Sequence, residues 1–118
     1  MKSSRTPEAV LVSNFEEHVM LAVLRTGSDA YGMAVRRELE KVTGRDVTIG
    51  SVYITLDRLE AKGLVTSART VATNESASRR VFSVSPLGAR SLAETRAVRD
   101  RLWDGIELRP LLRPARFT

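Results

Sequence analysis

The chain has 118 residues, of which 42% are apolar and none is cysteine, and its formal net charge is +5. This length favours a single domain with a modest core, and the lack of cysteine excludes disulfide frameworks and thiolate metal sites. No apolar run approaches the roughly 20 residues of a membrane span, and the first residues lack the long apolar stretch of a secretory signal, so we expect a cytoplasmic protein. The excess of Lys and Arg favours polyanionic partners.

The N-terminal third predicts an arm followed by a helix. Residues 1–12 form either an N-terminal arm or a helix extension that starts around Thr6-Pro7-Glu8. The first helix is predicted to start after Ser13, because Ser13 and Glu16 fit a capping box, and to end at Gly27.

Two further helices follow. The second is capped by Ser28 or Asp29 and ends at Gly44. The third runs from about Ile49 to Lys62, with Thr48 as its cap. The inner face of the second helix is formed by Tyr31, Val35, Leu39 and Val42.

After Gly63 the pattern changes to two short β-branched and aromatic segments, "LVTSARTVA" and "RRVFSV", joined by the polar "TNESAS". This pattern predicts a β-hairpin. Ser85 and Pro86 then start a fourth helix that ends near residues 106–109. Three helices, a hairpin and a helix predict an α+β, mainly α fold, a winged helix-turn-helix. Its segments are an N-terminal arm or helix extension (1–12), the winged helix-turn-helix (13–85), a C-terminal helix (86–109) and a basic tail (110–118).

The outward face of the third helix is small and polar with a cationic end, which suits a helix that enters the major groove of DNA. Each side chain taken alone also fits a blander role: an ordinary solvated face, a core position for Tyr53, or a solubilising hairpin tip for the arginines. Their coincidence on one architecture favours DNA. The predicted contacts are Thr48, Gly50, Ser51, Tyr53, Ile54, Thr55, Arg58 and Lys62 on the helix, and Arg79 and Arg80 in the wing.

Three segments, "YGMAVRRELEKVTG", "GSVYITLDRLEAKGLV" and "VFSVSPLGARSL", resemble the PadR family of bacterial transcriptional regulators over residues 15–106. The resemblance implies a dimeric winged-helix repressor in which Tyr53 contacts the DNA backbone while Ser51 and Thr55 face the groove. The short C-terminal region resembles the smaller subfamily, which has one dimerisation helix and no separate effector domain. Ile49 and Ile54 replace prolines that are frequent in the family, so base preference does not carry over.

The fourth helix carries a narrow apolar stripe that predicts a symmetric homodimer. Trp103, the only tryptophan, packs in that interface or in the core, or else it stacks a small planar effector, as the resemblance implies for some relatives. The predicted interface residues are Leu92, Thr95, Val98, Leu102, Trp103 and Ile106.

Enzyme chemistry finds no support in the sequence. His18 is the only histidine, and neither a glycine-rich phosphate loop nor a two-histidine metal pair is present. We therefore expect no catalytic residue, cofactor or metal. The remaining alternative to a DNA-binding regulator is a winged helix that serves as a protein-interaction module without DNA binding. A steep salt dependence of binding to duplex DNA would separate the two.

Overall fold

A computed structural model of the chain describes residues 9–74 and 77–112. The predicted helix start at residues 6–8 and the end of the basic tail, 113–118, lie outside these described residues. Among the described residues, no helix has the length and apolarity that crossing a membrane requires. The elements are helices α1 (Asn14–Thr26), α2 (Gly32–Thr43), α3 (Ile49–Ala61) and α4 (Pro86–Trp103), and strands β1 (Val65–Arg69) and β2 (Arg80–Val84).

The two strands pair antiparallel, with Val65 opposite Val84 and Arg69 opposite Arg80. The order of helices and hairpin is the one predicted, and the α+β, mainly α winged-helix fold class is confirmed. The core lies between α1, α2, α3 and the base of the hairpin. Its largest fully buried side chains are Phe82, Met20, Leu56, Leu59, Leu64, Val19, Val35, Val52 and Val65.

Three helix starts follow the local signals in the sequence. Ser13 and Glu16 form the predicted capping box, in which Ser13 Oγ accepts from Glu16 N at 3.2 Å and Glu16 accepts from Ser13 N at 3.0 Å. Thr48 Oγ1 and Ser85 Oγ likewise accept backbone N–H groups at the starts of α3 and α4. Each cap satisfies a backbone donor that the helix itself cannot pair.

The start of α2 differs from the prediction that Ser28 or Asp29 caps it. Residues Gly27–Asp29 form a 3-10 turn, and Tyr31 is the N-cap residue, with no side-chain cap. The reason is tertiary: Ala30 O accepts from Phe82 N at 2.8 Å, and Tyr31 forms a β-bridge with Val81. This pairing keeps residues 30–31 extended, so the helix begins later.

Two residues of the predicted inner face of α2 are not buried. Val42 lies beyond the core at the end of the helix and is exposed, so that assignment is wrong. Tyr31 is half-buried. The Arg79 guanidinium covers its ring.

The base of α4 is attached to the body of the domain, and its end is not. Leu92 is buried in the core of its own chain, so its assignment to the dimer interface is wrong. Thr95 Oγ1 accepts from Val12 N at 3.1 Å. The helix ends at Trp103 rather than near 106–109, because Gly105 takes a positive φ of 79° and Ile106 N turns back to Trp103 O.

Two neighbouring glutamates on α1 are buried and ion-paired. Glu16 Oε2 lies 2.8 Å from Lys62 Nζ at the end of α3, and both carboxylate oxygens of Glu17 lie 2.7 Å from Arg99 Nη1 on α4. Burial works to raise the pKa of Glu16. The hydrogen bonds from Lys62 and Ser13 outweigh it, so this pKa lies below its ordinary value.

The Glu16–Lys62 pair predicts a loss of stability in acid. Because the pKa of Glu16 is lower in the folded chain, the pair stabilises the fold above the unfolded pKa of about 4.3 and is lost as the pH falls through the folded value. Glu16→Gln keeps a residue that can complete the capping box but removes the charge, so it should lower the free energy of unfolding by about 1 kcal/mol at pH 7. Below pH 4 this variant should lose less stability than the wild type does. Urea unfolding at a series of pH values measures both. Parallel pH profiles for the two proteins would contradict the assignment.

Candidate nucleic-acid interface

One outward stripe of α3 is exposed. Nothing lies within 4 Å of a Cβ placed on Gly50, Ile54 is 59% exposed, and Arg58 is exposed without an ion pair among the described residues. These three residues follow one another at intervals of four, so they share one helix face. We call Gly50, Ile54 and Arg58 the reading stripe. It presents a bare backbone, an apolar side chain and a cation in that order along the helix.

Thr55 does not belong to that face. It is only 4% exposed and packs on the buried side of α3 with Val52, Leu56 and Leu59. The prediction that Thr55 points outward with Ser51 is therefore wrong. The buried face of α3 is wider than the apolar pattern suggests, because the helix packs against α1 and α2 as well as against β1.

Thr48 and Ser51 use their hydroxyls at the helix start. Thr48 Oγ1 accepts from Ser51 N at 3.2 Å, and the Ser51 hydroxyl donates to Thr48 O at 2.9 Å. Both residues lie beside the reading stripe on the first turn. Their contact with DNA stays a prediction.

Two of the predicted cations are engaged inside the chain. Lys62 holds Glu16, as described above, and Arg80 lies between Asp57 and Glu60 of α3. Hydrogen bonds from Ser67 and Arg80 hold the pKa of Glu60 below its usual value. Both cations are therefore already paired within the chain, and their contact with DNA stays a prediction. Arg80 instead ties the wing to α3.

Tyr53 lies where α3 approaches the first turn of α2. A Cβ on Gly32 would overlap the phenol end of the Tyr53 ring, so the glycine leaves the space that the ring occupies. The ring is partly covered while the residue remains exposed, and its contact with the DNA backbone stays a prediction. No ion pair or hydrogen bond of this hydroxyl is present among the described residues.

The wing contributes a second basic surface that the sequence reasoning missed in part. Arg79 stacks on Tyr31, with its guanidinium carbon 4.0 Å from the ring centroid, and Arg69 lies opposite Arg80 in the hairpin. Neither Tyr31 nor Arg69 was among the predicted contacts. The signal for Arg69 was the hairpin register, which pairs it with an arginine already assigned to the wing.

The end of α4 exposes apolar side chains. Leu102 is 73% exposed and Trp103 is 52% exposed, while Ile106 lies exposed just past the helix. Val98 is half-buried. These four of the six predicted interface residues remain available to a second copy.

A three-helix unit with a hairpin wing, an uncovered stripe on the third helix and arginines on the wing define a winged-helix protein. Comparison with known sequences identifies its family. The model of the transcriptional regulator PadR-like family matches residues 20–94. The chain is 35% identical over 86 residues to transcriptional regulator Rv3488 of Mycobacterium tuberculosis, covering 71% of this chain and 78% of that protein. The chain therefore belongs to the PadR-like family of transcriptional regulators.

Solved structures show the same fold. A PadR family transcriptional regulator from Eggerthella lenta superposes with a TM-score of 0.62 at 29% identity, covering 82% of each chain. A PadR-like transcriptional regulator from Bacillus cereus reaches a TM-score of 0.66 at 19% identity, covering 86% of this chain and 93% of that one. At the lower identity, the likeness concerns the fold alone.

Proposed function

We propose that this protein is a sequence-specific DNA-binding regulator that acts as a homodimeric repressor on an inverted-repeat operator. The observation that carries the proposal is the reading stripe, an exposed helix face that starts with a glycine and ends with an exposed arginine. A major groove admits an α-helix, and a bare first turn lets the backbone approach the base edges. Membership in a family of transcriptional regulators supports the same DNA-binding function.

The exposed apolar side chains at the end of α4 support the proposed homodimer. Leu102 is 73% exposed and Trp103 is 52% exposed, and complete burial of an exposed leucine side chain is worth roughly 1.5–3 kcal/mol. A second copy of the same helix end can cover them symmetrically, since one isologous contact buries both copies. Two reading stripes related by a two-fold axis would meet successive major grooves, about 34–36 Å apart, and such a dimer reads an inverted repeat.

The stripe assigns different roles to its two side chains. Ile54 replaces Thr55 as the residue expected to select bases, because an exposed apolar side chain can contact a thymine methyl group. Arg58 lies one turn further, where the helix leaves the groove and meets phosphate. Ile54→Ala should change base preference within each half-site, whereas Arg58→Ala should weaken binding to all sequences alike and reduce the salt slope by about one unit per half-site, or about two for the dimer.

The experiment is a selection of bound fragments from genomic DNA, followed by binding of both variants to a library of mutated half-sites at several salt concentrations. Thr55→Ala, at the buried neighbour, serves as the matched control and should leave the preference profile unchanged. If Arg58→Ala reshapes the profile while Ile54→Ala does not, the two roles are reversed. If no duplex binds with a steep salt dependence, the alternative of a protein-interaction module replaces this proposal.

A further inference from the structure

A polar hollow of about 380 Å³ lies between the start of α2, the middle of α3 and the wing. None of the described residues that line it is acidic. Two phenol hydroxyls, one serine hydroxyl and three guanidinium groups surround it, and every one of them can donate a hydrogen bond. Its lining residues are Tyr31, Tyr53, Arg69, Ser78, Arg79 and Arg80. Such a set of donors suits an anion.

Tyr31 holds one of these arginines in place. The Arg79 guanidinium lies over the Tyr31 ring at 4.0 Å, and Arg37 donates to the Tyr31 hydroxyl at 2.7 Å. The ring is therefore held by a hydrogen bond at its hydroxyl and covered on its face. A cation stacked on a ring keeps its donors available at its edge. Arg79 thus starts from a restricted conformation, which lowers the entropy lost when it binds a ligand.

The ion pairs of the two wing arginines, Arg79 and Arg80, differ in length. Arg79 Nη1 lies 3.3 Å from Asp29 Oδ2, longer than the roughly 2.7–2.9 Å of a strong charge-assisted bond, and the Asp29 side chain is 65% exposed. Arg80, in contrast, is held by two carboxylates, Asp57 and Glu60, at shorter range. The Arg79–Asp29 pair is the one that an incoming anion can replace, because less is lost when it breaks.

We infer that the hollow is a subsite for one phosphate of the DNA backbone, and that Asp29 competes with this phosphate for Arg79. The inference rests on the proposed function and adds to it a regulating group. In the free protein Asp29 neutralises Arg79, and on DNA the phosphate takes its place while Arg69 and the Tyr53 hydroxyl complete the site. The carboxylate thereby weakens binding to every duplex equally. It lowers non-specific affinity, so the operator must be distinguished by the reading stripe.

The test compares the full-length chain with Asp29→Asn, Arg79→Ala and the double variant, each titrated against the selected operator and a scrambled duplex. Asp29→Asn should bind both duplexes more tightly by about two- to five-fold per protomer, the size expected for one exposed pair, and Arg79→Ala should bind both more weakly. In the Arg79→Ala background, Asp29→Asn should have no further effect. Glu107→Gln is the matched control, because it removes one exposed acid from a long ion pair remote from the hollow.

A second measurement locates the phosphate. Operators with single neutral methylphosphonate linkages should lose affinity for the wild type at each contacted phosphate, including the one assigned to Arg58. Arg79→Ala should be less sensitive than the wild type at one of these linkages per half-site, and equally sensitive at the others. If Asp29→Asn binds no more tightly than Glu107→Gln, or still tightens binding without Arg79, the competition is refuted while the proposed function stands. If the wild type binds no duplex, the proposed function fails and the subsite falls with it. Thermal melts of each variant serve to check that it is folded.

Discussion

Leu102→Glu is expected to convert the protein to monomers and to lower its affinity for an inverted-repeat site by at least about 100-fold. Leu102 is exposed in the single chain, so the substitution leaves the domain core intact. In a symmetric dimer the change occurs twice, each time removing roughly 1.5–3 kcal/mol of apolar burial and placing a carboxylate in the interface. A dimer also binds two half-sites at once, and a monomer loses that advantage.

Sedimentation velocity and titration of the selected operator measure the two effects. Val42→Glu is the matched control, because it places the same charge at another exposed apolar position, at the end of α2. It should remain dimeric. A Leu102→Glu protein that sediments as the wild type does would show that the interface lies elsewhere on the chain.

Gly88→Ala is expected to destabilise the fold by about 3 kcal/mol, and to lower the melting temperature by roughly 10 °C or more. A Cβ at this position would overlap the carbonyl oxygen of Leu64 and press on Val84, which lie at the junction of α3, β1 and β2. The backbone of Leu64 cannot move aside as a flexible side chain could. The first turn of α4 would have to move away from Leu64, whose carbonyl oxygen accepts from Ser85 N at 3.0 Å.

Gly50→Ala provides the control for that stability measurement. Its added methyl group meets nothing within 4 Å, and alanine is the better helix former by roughly 0.5–1 kcal/mol. Thermal unfolding should therefore leave Gly50→Ala as stable as the wild type or more so. Equal melting temperatures for Gly88→Ala and the wild type would contradict the close approach of α4 to Leu64.

The parts of the fold that the sequence predicted correctly depend on local chemistry. Helix starts are short-range signals, so a few residues suffice to recognise them. This applies to the capping box at Ser13 and Glu16 and to the Ser85-Pro86 start of α4. The order of elements follows from the change of apolar period after Gly63. The late start of α2 was missed, because it depends on pairing with Phe82, a residue about 50 positions further along the chain.

The candidate site was predicted less completely, and for the same reason. Thr55 is polar, so its pattern favours exposure, yet α3 is enclosed on more than one side. Lys62 and Arg80 are cations at predicted positions, but their carboxylate partners come from other elements, 46 and 20 to 23 residues away in sequence. Only the folded chain shows which charges neutralise each other. It leaves Arg58 and Arg69 without ion pairs among the described residues.

The neighbouring glutamates of α1 have a consequence for operator architecture. Glu16 is ion-paired to Lys62 at the end of α3 and Glu17 to Arg99 of α4, so one short segment of α1 links the helix that carries the reading stripe to the helix proposed to form the dimer interface. In such a dimer, these two ion pairs fix the orientation of α3 relative to α4. They therefore determine the distance and the angle between the two reading stripes. Half-sites recur about every 10–10.5 base pairs, so this separation determines which spacer length between half-sites is accepted. Loss of either ion pair would leave the half-site sequence unchanged and relax the spacer.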